Sequence, residues 1–441
     1  MAAQTPKGTK DYLPDEMARR TAVFDAFRRV FLNYDYGEIA TPAFEYLKTL
    51  SKEGGTGEES ETQFFKIQSR RRDEQAEDTL ALRYDMTTPV CRVLAANPNL
   101  RKPVKWFYIT NMWRYENPQK GRMREFWQAG MENIGSRGDA ADAEVLAVTY
   151  DALARAGITG FVFKINSREV LDKLADSLCL KDKAEFYKAL DKRGKLSPDE
   201  WEKWIREIMA PESAARFLEL ARGPAEGLLA EMTGAVGEGA QRLQRIMGLA
   251  ADMGVPRSAM AFDISIVRGL DYYTGFVFET FMTGREDIGS IASGGRYDNL
   301  ISVEGGEPTP ATGMAIGIER VMGLVPDSLF EGRVRRPVYL LPLDASAEPA
   351  AVSAARALRA RDVPCSVERG EKSLKKRLGD ASERGIEYCV LIGEKEVREK
   401  TFTVKNMVSG TQTLLDMEGM VDAVGKPITA ADRVKKFAEK G

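Results

Sequence analysis

Histidine is absent from all 441 residues of the chain, and this absence narrows the chemistry that the protein can perform. A Ser-His-Asp hydrolase, a histidine general base and a zinc site with histidine ligands are all excluded. The functional groups that remain are carboxylates, guanidinium groups, phenols, a bound metal and the groups of the substrate itself. Reactions that mainly require neutralisation of charge, such as nucleotidyl or phosphoryl transfer, are compatible with this set.

Cysteine is scarce, and long apolar runs are missing. The four cysteines are scattered without a C-x-x-C pair, which favours a reduced cytosolic compartment over a disulfide framework or a metal cluster. No run of about 18 apolar residues predicts a membrane span. The polar N-terminus lacks the apolar core of a signal peptide. We therefore expect a cytoplasmic protein that does not interact with a membrane.

The pattern along the chain predicts two domains and a tail. Residues 1–330 are rich in strand-like segments, interrupted at about 167–255 by a charged block with helical spacing. Strands and helices then alternate, which predicts a separate α/β domain at 331–425, followed by a basic tail at 426–441. The second domain and the tail together carry 21 lysines and arginines against 17 acidic residues. This mildly basic balance permits contact with a polyanion such as RNA.

Individual elements of the first domain follow from composition and spacing. Apolar residues at helical spacing predict a helix at 19–32. Two stretches with strand composition, 105–116 and 125–134, flank a polar loop and predict an antiparallel hairpin. Further strands are predicted at 161–166, 261–267, 276–281 and 289–292. Ser167 is the expected N-cap of the helical block, and a helix is expected from Ala315 onward.

The most informative stretch is residues 268–279 (RGLDYYTGFVFE). It places a guanidinium, a carboxylate and two phenols directly before an apolar strand. These groups belong to Arg268, Asp271, Tyr272 and Tyr273. A buried strand does not require such a cluster at its start, whereas a pocket for an anion and a polar ring does. We therefore interpret this stretch as part of a binding site.

The predicted hairpin carries complementary groups. Because side chains two apart share a sheet face, Arg114 and Glu116 lie together on the first strand. The second strand presents Phe126, Gln128, Gly130 and Glu132 on one face. Gly130 is expected to leave room for a ligand. The loop adds Lys120, Arg122 and Arg124, which suit a polyphosphate. The alternative is a solvated sheet face with a charged turn.

Three further patches are each open to two interpretations. Asp85 and Thr87 precede a predicted helix start and could cap that helix or anchor an ammonium group; capping is favoured. The glycine pair in 293–300 (SGGRYDNL) permits close approach of a ligand or a tight turn. Residues 313–320 (GMAIGIER) suit contact with a nucleotide and an arginine on a terminal phosphate, or plain helix–sheet packing.

Taken together, these motifs resemble those of the class II aminoacyl-tRNA synthetases. The segment ending at Pro42 looks like motif 1, which builds the dimer interface in that class. Residues 114–116 (RYE) with 121–126 (GRMREF) are similar to motif 2, and 317–320 (GIER) is similar to motif 3.

Three other stretches resemble the histidyl-tRNA synthetases specifically: 8–14 (GTKDYLP), 268–273 (RGLDYY) and 294–298 (GGRYD). The resemblance covers nearly the whole chain. It implies an α+β catalytic domain built on an antiparallel sheet, with a helical insertion, plus a C-terminal α/β anticodon-binding domain. It further implies a homodimer that ligates L-histidine to histidine tRNA through a histidyl-adenylate. ATP is then a substrate, with Mg²⁺ on its phosphates, and no protein side chain is assigned to a metal.

The resemblance also implies an ATP-binding set. This set comprises Arg114, Glu116, Arg122, Phe126 and Arg320. Phe126 would stack on adenine with Glu116 near its edge, and the γ-phosphate would be held by Arg122 and Arg320. Arg114 would bridge the α-phosphate and the substrate carboxylate, and Arg268 would lie beside the α-phosphate. Arg114 and Arg268 are therefore the implied catalytic residues.

A second implied set binds histidine. It comprises Asp85, Met86, Thr87, Arg114, Gln128, Glu132, Arg268, Tyr272 and Tyr273. The α-amino end would meet Asp85, Thr87 and Gln128. The imidazole nitrogens would be read by Glu132 and Tyr273, with Tyr272 nearby. Gln119 is the implied contact with the acceptor end of the tRNA.

Two other functions remain as alternatives. One is a non-catalytic paralogue, the regulatory subunit of ATP phosphoribosyltransferase, which resembles the catalytic core but lacks the anticodon domain and the motif arginines. The other is a class II synthetase for a different amino acid. Glu132 with two adjacent tyrosines argues against the latter, because paired polar groups reject ligands that cannot satisfy them.

Overall fold

A computed structural model describes residues 4–51, 64–68, 79–118, 121–194, 196–222, 237–267, 272–330, 337–368 and 372–425. The chain divides into two compact units. One consists of Met1–Leu13 with Val23–Pro326, and the other of Pro14–Ala22 with Asp327–Gly441. Within the described ranges, none of the helices combines the length and the apolarity that a membrane crossing requires.

The first unit is built on an extended antiparallel sheet. Its strands are β1 (Gly37–Glu38), β2 (Phe44–Tyr46), β3 (Lys66–Ile67), β4 (Leu80–Leu82), β5 (Val104–Trp113), β6 (Glu125–Ile134), β7 (Phe161–Ser167), β8 (Met260–Phe262), β9 (Phe276–Met282), β10 (Ala292–Arg296) and β11 (Ala311–Gly317). Eight of them pair in the order β1-β5-β6-β11-β10-β9-β7-β8, and β2, β4 and β3 form a small separate sheet. Only the terminal pairs β1–β5 and β7–β8 of the large sheet are parallel. The predicted antiparallel architecture is therefore confirmed.

The hairpin β5–β6 forms the second and third strands of this sheet. Its register places Tyr108 opposite Gly130 and Thr110 opposite Gln128. On its other edge, β6 pairs with β11 so that Gly313 lies opposite Glu132. The alternation along β6 therefore brings the polar residues of three strands to one face.

Helices cover the sheet and form the insertion. They are α1 (Pro14–Asn33), α2 (Leu47–Leu50), α3 (Thr87–Ala96), α4 (Asp139–Arg155), α5 (Arg168–Ser177), α6 (Lys183–Asp191), α7 (Pro198–Ile208), α8 (Pro211–Arg222), α9 (Glu238–Asp252), α10 (Leu300–Val303) and α11 (Ile318–Val321). The buried helix α4 packs against β10 and β11, and α9 packs against α4. Ser167 occupies the N-cap position of α5, as predicted, although its side chain makes no capping hydrogen bond.

Three predicted elements need correction. The strand expected at 261–267 ends at Phe262, because the Asp263 carboxylate accepts hydrogen bonds from the backbone and hydroxyl of Ser265 and turns the chain. The strand expected at 289–292 begins only at Ala292, since Gly289 ends a short 3₁₀ turn with φ of 72°. The helix expected from Ala315 begins only at Ile318, because β11 continues to Gly317.

The second unit contains a mixed five-stranded sheet. Its strands are β12 (Val338–Pro342), β13 (Cys365–Val367), β14 (Tyr388–Ile392), β15 (Phe402–Asn406) and β16 (Gln412–Leu415), in the order β13-β12-β14-β15-β16. Its helices are α12 (Glu348–Arg359), α13 (Leu374–Glu383), α14 (Glu394–Glu399) and α15 (Met417–Gly425). The strands β13, β12 and β14 are parallel, as the predicted β-α-β-α-β alternation requires, and β15 and β16 add an antiparallel edge.

Candidate active site

A cavity of about 420 Å³ lies on one face of the large sheet. Most of the residues that the sequence singled out line it: Asp85, Thr87, Arg114, Glu116, Arg122, Phe126, Gln128, Tyr272, Tyr273 and Arg320. Met86 is fully buried beneath this surface. Glu132 is also buried, and it accepts a hydrogen bond from the lining residue Thr87. Arg268 and Gln119 lie outside the described residues, as does Asp271.

The cavity floor consists of small residues that make room for larger side chains. A Cβ atom added at Gly130 would lie 2.4 Å from the Tyr108 hydroxyl and 2.6 Å from the Met314 carbonyl oxygen. The expectation that Gly130 leaves room for a ligand is therefore wrong, because Tyr108 occupies that space. A Cβ atom at Gly313 would lie 1.8 Å from a carboxylate oxygen of Glu132. Glycine at both positions allows the polar groups of the cavity to pack.

Glu132 forms the core of what we call the acidic end, together with Asp85. Its side chain is 1% exposed. One carboxylate oxygen accepts a hydrogen bond from the Thr87 hydroxyl at 2.8 Å, and the other accepts one from the Tyr297 hydroxyl. Burial raises the pKa of Glu132 to about 8, although the hydrogen bonds from Tyr297 and Thr87 oppose this shift. The acidic end can therefore exchange a proton near neutral pH.

Asp85 is the second member of the acidic end. One of its oxygens lies 3.4 Å from the backbone N–H of Thr88, while Oδ2 is buried and has no hydrogen-bond partner within the described part of the chain. Burial raises the pKa of Asp85 to about 6, and the charge of Arg114 opposes this shift. A buried acceptor that lacks a partner is costly, so a ligand donor is favoured here.

Helix capping, the favoured interpretation of Asp85 and Thr87, accounts for one contact, because Asp85 accepts from the backbone N–H of Thr88 in the first turn of α3 at 3.4 Å. Met86 occupies the N-cap position, and its own side chain makes no capping bond. The Thr87 hydroxyl is committed to Glu132. The ammonium-anchoring alternative agrees better with the free oxygen of Asp85.

Three arginines that line the cavity, Arg114, Arg122 and Arg320, form what we call the basic end. The guanidinium of Arg114 lies 5.1 Å from the centre of the Phe126 ring, and its Nε donates to the Tyr84 carbonyl at 3.0 Å. The guanidinium of Arg122 lies 3.7 Å from the Glu116 carboxylate. Burial lowers the pKa of Arg320, and the charges of Arg122 and Arg114 lower it further. Converging cations that repel one another form a site for a polyanion.

Arg124 departs from the expectation that the whole loop faces a polyphosphate. Its Nε donates to the Glu116 carbonyl at 3.0 Å, and its guanidinium lies 4.3 Å from the centre of the Tyr115 ring. Its backbone N–H donates to the Gly8 carbonyl at 2.8 Å. Arg124 therefore holds the loop to the N-terminal segment, whereas Arg122 lines the cavity; Lys120 lies outside the described residues.

Sequence reasoning missed Tyr297 as a site residue. It belongs to the GGRYD stretch, in which we assigned a possible role to the glycine pair and none to the tyrosine. Tyr297 is 1% exposed, lines the cavity and contacts Tyr272 with a ring-centroid distance of 5.8 Å. The rings of Tyr272 and Tyr273 lie 4.7 Å apart. Three phenols thus gather beside Glu132.

The glycine pair itself, Gly294 and Gly295, lies in strand β10 rather than in a turn. A Cβ atom at Gly294 would lie 2.2 Å from the Gly313 carbonyl oxygen, and one at Gly295 would lie 2.9 Å from the Tyr273 ring. Of the two interpretations, neither a tight turn nor direct ligand approach applies, because neighbouring strands and Tyr273 fill the space.

Comparison with known proteins agrees with this geometry. Residues 8–321 match the family model of histidyl-tRNA synthetase, and residues 337–426 match that of an anticodon binding domain. The histidine–tRNA ligase of Thermococcus kodakarensis is 38% identical over 435 residues, which cover 95% of this chain and 97% of that protein.

Two solved structures share the fold. Histidyl-tRNA synthetase from a Nostoc species superimposes with a TM-score of 0.81 at 24% identity, over 96% of this chain and 99% of that one. A Bacillus halodurans protein described as an ATP phosphoribosyltransferase regulatory subunit/histidyl-tRNA synthetase gives a TM-score of 0.72 at 23% identity, over 86% and 96%. At these identities the two structures support the fold alone. The match to the family model and the 38% identity with the Thermococcus kodakarensis ligase also show the family. The chain belongs to the histidyl-tRNA synthetase family.

Proposed function

We propose that the chain is a histidine–tRNA ligase, which joins L-histidine to ATP as histidyl-adenylate and then transfers the histidyl group to tRNA. The observation that carries this proposal is that the cavity has acidic residues at one end and basic residues at the other. A buried acidic end with phenols suits an ammonium group and an imidazole, and a basic end beside an aromatic ring suits a nucleoside triphosphate.

In the first step, the carboxylate of histidine attacks the α-phosphate of ATP, and pyrophosphate leaves. The nucleophile is already an anion, so no side-chain base is required and the main task is neutralisation of charge. Arg114 bridges the α-phosphate and the carboxylate; its guanidinium lies beside the Phe126 ring, and its charge acts on Asp85. Arg268 serves beside it at the α-phosphate. Phe126 stacks on adenine, with Glu116 at its edge, and the γ-phosphate is held by Arg122 and Arg320.

Histidine is held at the acidic end. Its ammonium group meets the free oxygen of Asp85, with Thr87 and Gln128 nearby. Its imidazole meets Glu132 and Tyr273, and Tyr272 and the buried Met86 pack behind them. The match between a buried carboxylate and the ring N–H rejects amino acids that lack such a donor.

In the second step, the terminal ribose hydroxyl of the tRNA attacks the activated carbonyl, so that an ester bond to histidine forms, the acyl–phosphate bond breaks and AMP leaves. A phosphate oxygen of the adenylate accepts the proton, so the absence of histidine from the chain is compatible with this step as well. Gln119 contacts the acceptor end, and the anticodon is bound by the second domain.

Magnesium enters as part of the substrate, bound to the phosphates of ATP. Within the described residues there is no group of three or more cysteine and acidic side chains that could hold a metal ion by itself.

We also propose a cytoplasmic homodimer with a catalytic domain at 1–330, an insertion at about 167–255, an anticodon-binding domain at 331–425 and a basic tail at 426–441.

The regulatory-subunit alternative is less well supported. The motif arginines Arg114, Arg122 and Arg320 are present and converge, and residues 337–426 match an anticodon binding domain. A subunit without catalysis needs neither feature.

Amino-acid-dependent exchange of pyrophosphate into ATP tests the proposal directly. Each of the twenty amino acids is supplied in turn to the full chain with magnesium and ATP. We expect exchange with histidine alone. Exchange with a different amino acid would contradict the proposed substrate, and exchange with none would favour the non-catalytic alternative.

A further inference from the structure

A buried ion pair lies directly behind the acidic end of the cavity. Arg296, at the end of β10, is 2% exposed, and its Nε and Nη2 each lie 2.9 Å from a different carboxylate oxygen of Asp142 on α4. Its Nη1 donates to Asp298 at 3.1 Å, and its Nη2 donates to the Gly138 carbonyl at 3.3 Å. The Nε contact is a hydrogen bond, whereas the Nη2 contact is an ion pair that leaves Oδ1 of Asp142 without a hydrogen-bond donor among the described residues. Together with the bonds to Asp298 and Gly138, these contacts hold the guanidinium in place.

The two residues that follow Arg296 convert this anchor into a constraint on the cavity. Arg296 contacts helix α4 and Asp298 contacts Arg296, whereas the intervening Tyr297 lines the cavity and donates its hydroxyl to Glu132. The backbone N–H of Tyr297 donates to the Ala311 carbonyl at 2.8 Å, and the Asp298 carboxylate accepts from the Ala311 N–H at 3.0 Å. The position of the phenol is therefore set by the groups on either side of it.

The same anchor reaches the neighbouring phenols. The backbone N–H of Thr274 donates to the Arg296 carbonyl at 2.8 Å, and the Thr274 hydroxyl accepts from the Asp298 N–H at 3.0 Å. Thr274 directly follows Tyr273, whose ring packs on Gly295. Displacement of Arg296 would therefore disturb Tyr273 and Tyr297 together.

The anchor also extends to the inserted helices. Nη2 of Arg242, on α9, lies 3.7 Å from Asp142. Nε of Arg242 donates to Asp139 at 2.7 Å, and Nη1 donates to Glu169 at 3.2 Å. Asp142 thus has one cationic partner in the insertion, Arg242, and another in β10, Arg296.

We propose that the series Arg242–Asp142–Arg296 is a positioning network that sets Tyr297 against Glu132 and so determines the affinity for the amino acid. The network touches neither substrate and acts through Tyr297. It makes the insertion a contributor to amino-acid recognition. This inference rests on the proposed histidine activation and adds residues to that same site.

Pyrophosphate exchange with varied histidine and varied ATP tests the network on the full chain. Arg296→Lys keeps the charge but cannot contact Asp142, Asp298 and the Gly138 carbonyl at once, and Tyr297→Phe removes the donor to Glu132. We expect each to raise the KM for histidine about tenfold, in line with the coupling of residues that share one network, and to leave the KM for ATP unchanged. The KM for histidine of the double variant should not exceed that of the more impaired single variant, because both changes break the same contact.

A matched control uses another arginine–carboxylate pair of the first unit. Arg92 donates through Nε and Nη2 to Glu45 at 3.1 Å and 2.8 Å, and neither residue lines the cavity. Arg92→Lys should leave both KM values unchanged. A merely structural role for Arg296 would instead lower the melting temperature and the amount of active protein without changing either KM, and that result would overturn the proposal. Multiplying effects in the double variant would overturn it too.

A second pair of variants covers the case in which Arg296→Lys does not fold. Arg242 and Arg245 lie on the same helix and both pair with Asp139, but of the two it is Arg242 that reaches Asp142. Arg242→Gln should raise the KM for histidine about threefold, a shift within the range seen for coupled network positions, while Arg245→Gln changes nothing. Equal effects of the two would contradict the network. An unaltered chain without histidine-dependent exchange would refute the proposed function itself, whereas normal exchange with unaffected variants would refute this inference alone.

Discussion

Glu132 at the acidic end of the cavity is buried and already hydrogen-bonded, whereas Arg122 at the basic end is more open and lies near another cation, Arg320. Glu132 is 1% exposed and receives two hydroxyl donors, while the side chain of Arg122 is 53% exposed and lies 3.7 Å from its nearest acidic partner. The difference shows two ways to prepare a site. The acidic end is preorganised by packing before a ligand arrives, and the basic end depends on the ligand to neutralise its repulsion.

The largest effect should come from the basic end. Arg114→Ala is expected to lower the maximal rate of histidine-dependent pyrophosphate exchange by about 100- to 1000-fold, the size seen when one preorganised donor to a developing charge is removed. Steady-state kinetics at saturating substrates measure this loss. Arg101→Ala is the control, because Arg101 is exposed and does not line the cavity. Full activity of Arg114→Ala would remove this residue from the mechanism.

The acidic end should respond in affinity rather than in rate. Glu132→Gln keeps the shape of the side chain but cannot lose a proton, so it cannot become the charged acceptor that a ring N–H would meet when histidine binds. We expect the KM for histidine to rise about 10- to 100-fold, the size of a hydrogen bond to a charged group, with the KM for ATP unchanged. Glu144→Gln provides a matched control, since Glu144 pairs with Lys105 and does not line the cavity. A parallel rise in both KM values would show that the two ends are not separate.

The pH dependence of stability sharpens the same contrast. The pKa of Glu132 rises from its ordinary 4.5 to about 8 on folding, so between these values the folded chain keeps a proton that the unfolded chain has lost. The free energy of unfolding should therefore fall as pH rises through this window. Glu132→Gln cannot titrate, so its melting temperature relative to the unaltered chain should increase from pH 5 to pH 8.

Asp85→Asn gives a comparison within the acidic end. Because the pKa of Asp85 rises only to about 6, the corresponding difference should be complete by about pH 7. Melting curves at a series of pH values check both variants. A constant difference across the range would mean that neither carboxylate carries a raised pKa.

The smallest effect should come from the segment that holds the loop of the basic end. Gly8 has φ of 85°, and a Cβ atom there would lie 2.8 Å from Cγ of Arg124. Gly8→Ala should destabilise the chain by about 1 to 3 kcal/mol and raise the KM for ATP severalfold, because Arg124 must move. Gly160→Ala is the matched control, since its φ of 74° carries the same backbone penalty with no atom within 4 Å. Equal KM values for ATP in both variants would show that Arg124 has no role in ATP binding at the basic end.

Much of the fold could be predicted from the sequence, because alternation and turn residues are local signals. The hairpin β5–β6 is the clearest case, since aromatic residues in both strands flank a polar loop and the period of two assigns Gln128 and Glu132 to one face. Strand ends were less predictable. The turn at Asp263 depends on one side chain that bonds to its own neighbourhood, and composition does not show this.

The site was predictable in its residue types but not in its contacts. Arg114, Arg122 and Arg320 were recognised by resemblance, and the structure brings them to one cavity. The contact of Tyr297 with Glu132 joins residues 165 positions apart and has no local signal. The space at Gly130 likewise depends on Tyr108 from the neighbouring strand.

The sequence by itself determined the family, the antiparallel sheet and the chemical groups available, since these depend on residue types and their spacing. It also determined that no histidine side chain takes part in the reaction. Only the tertiary structure decided which carboxylates are buried, which oxygen of Asp85 lacks a donor and which arginine stands behind Tyr297. Burial and hydrogen-bond geometry arise from chain segments that are distant in sequence, and their energies therefore appear only when the sheet has assembled.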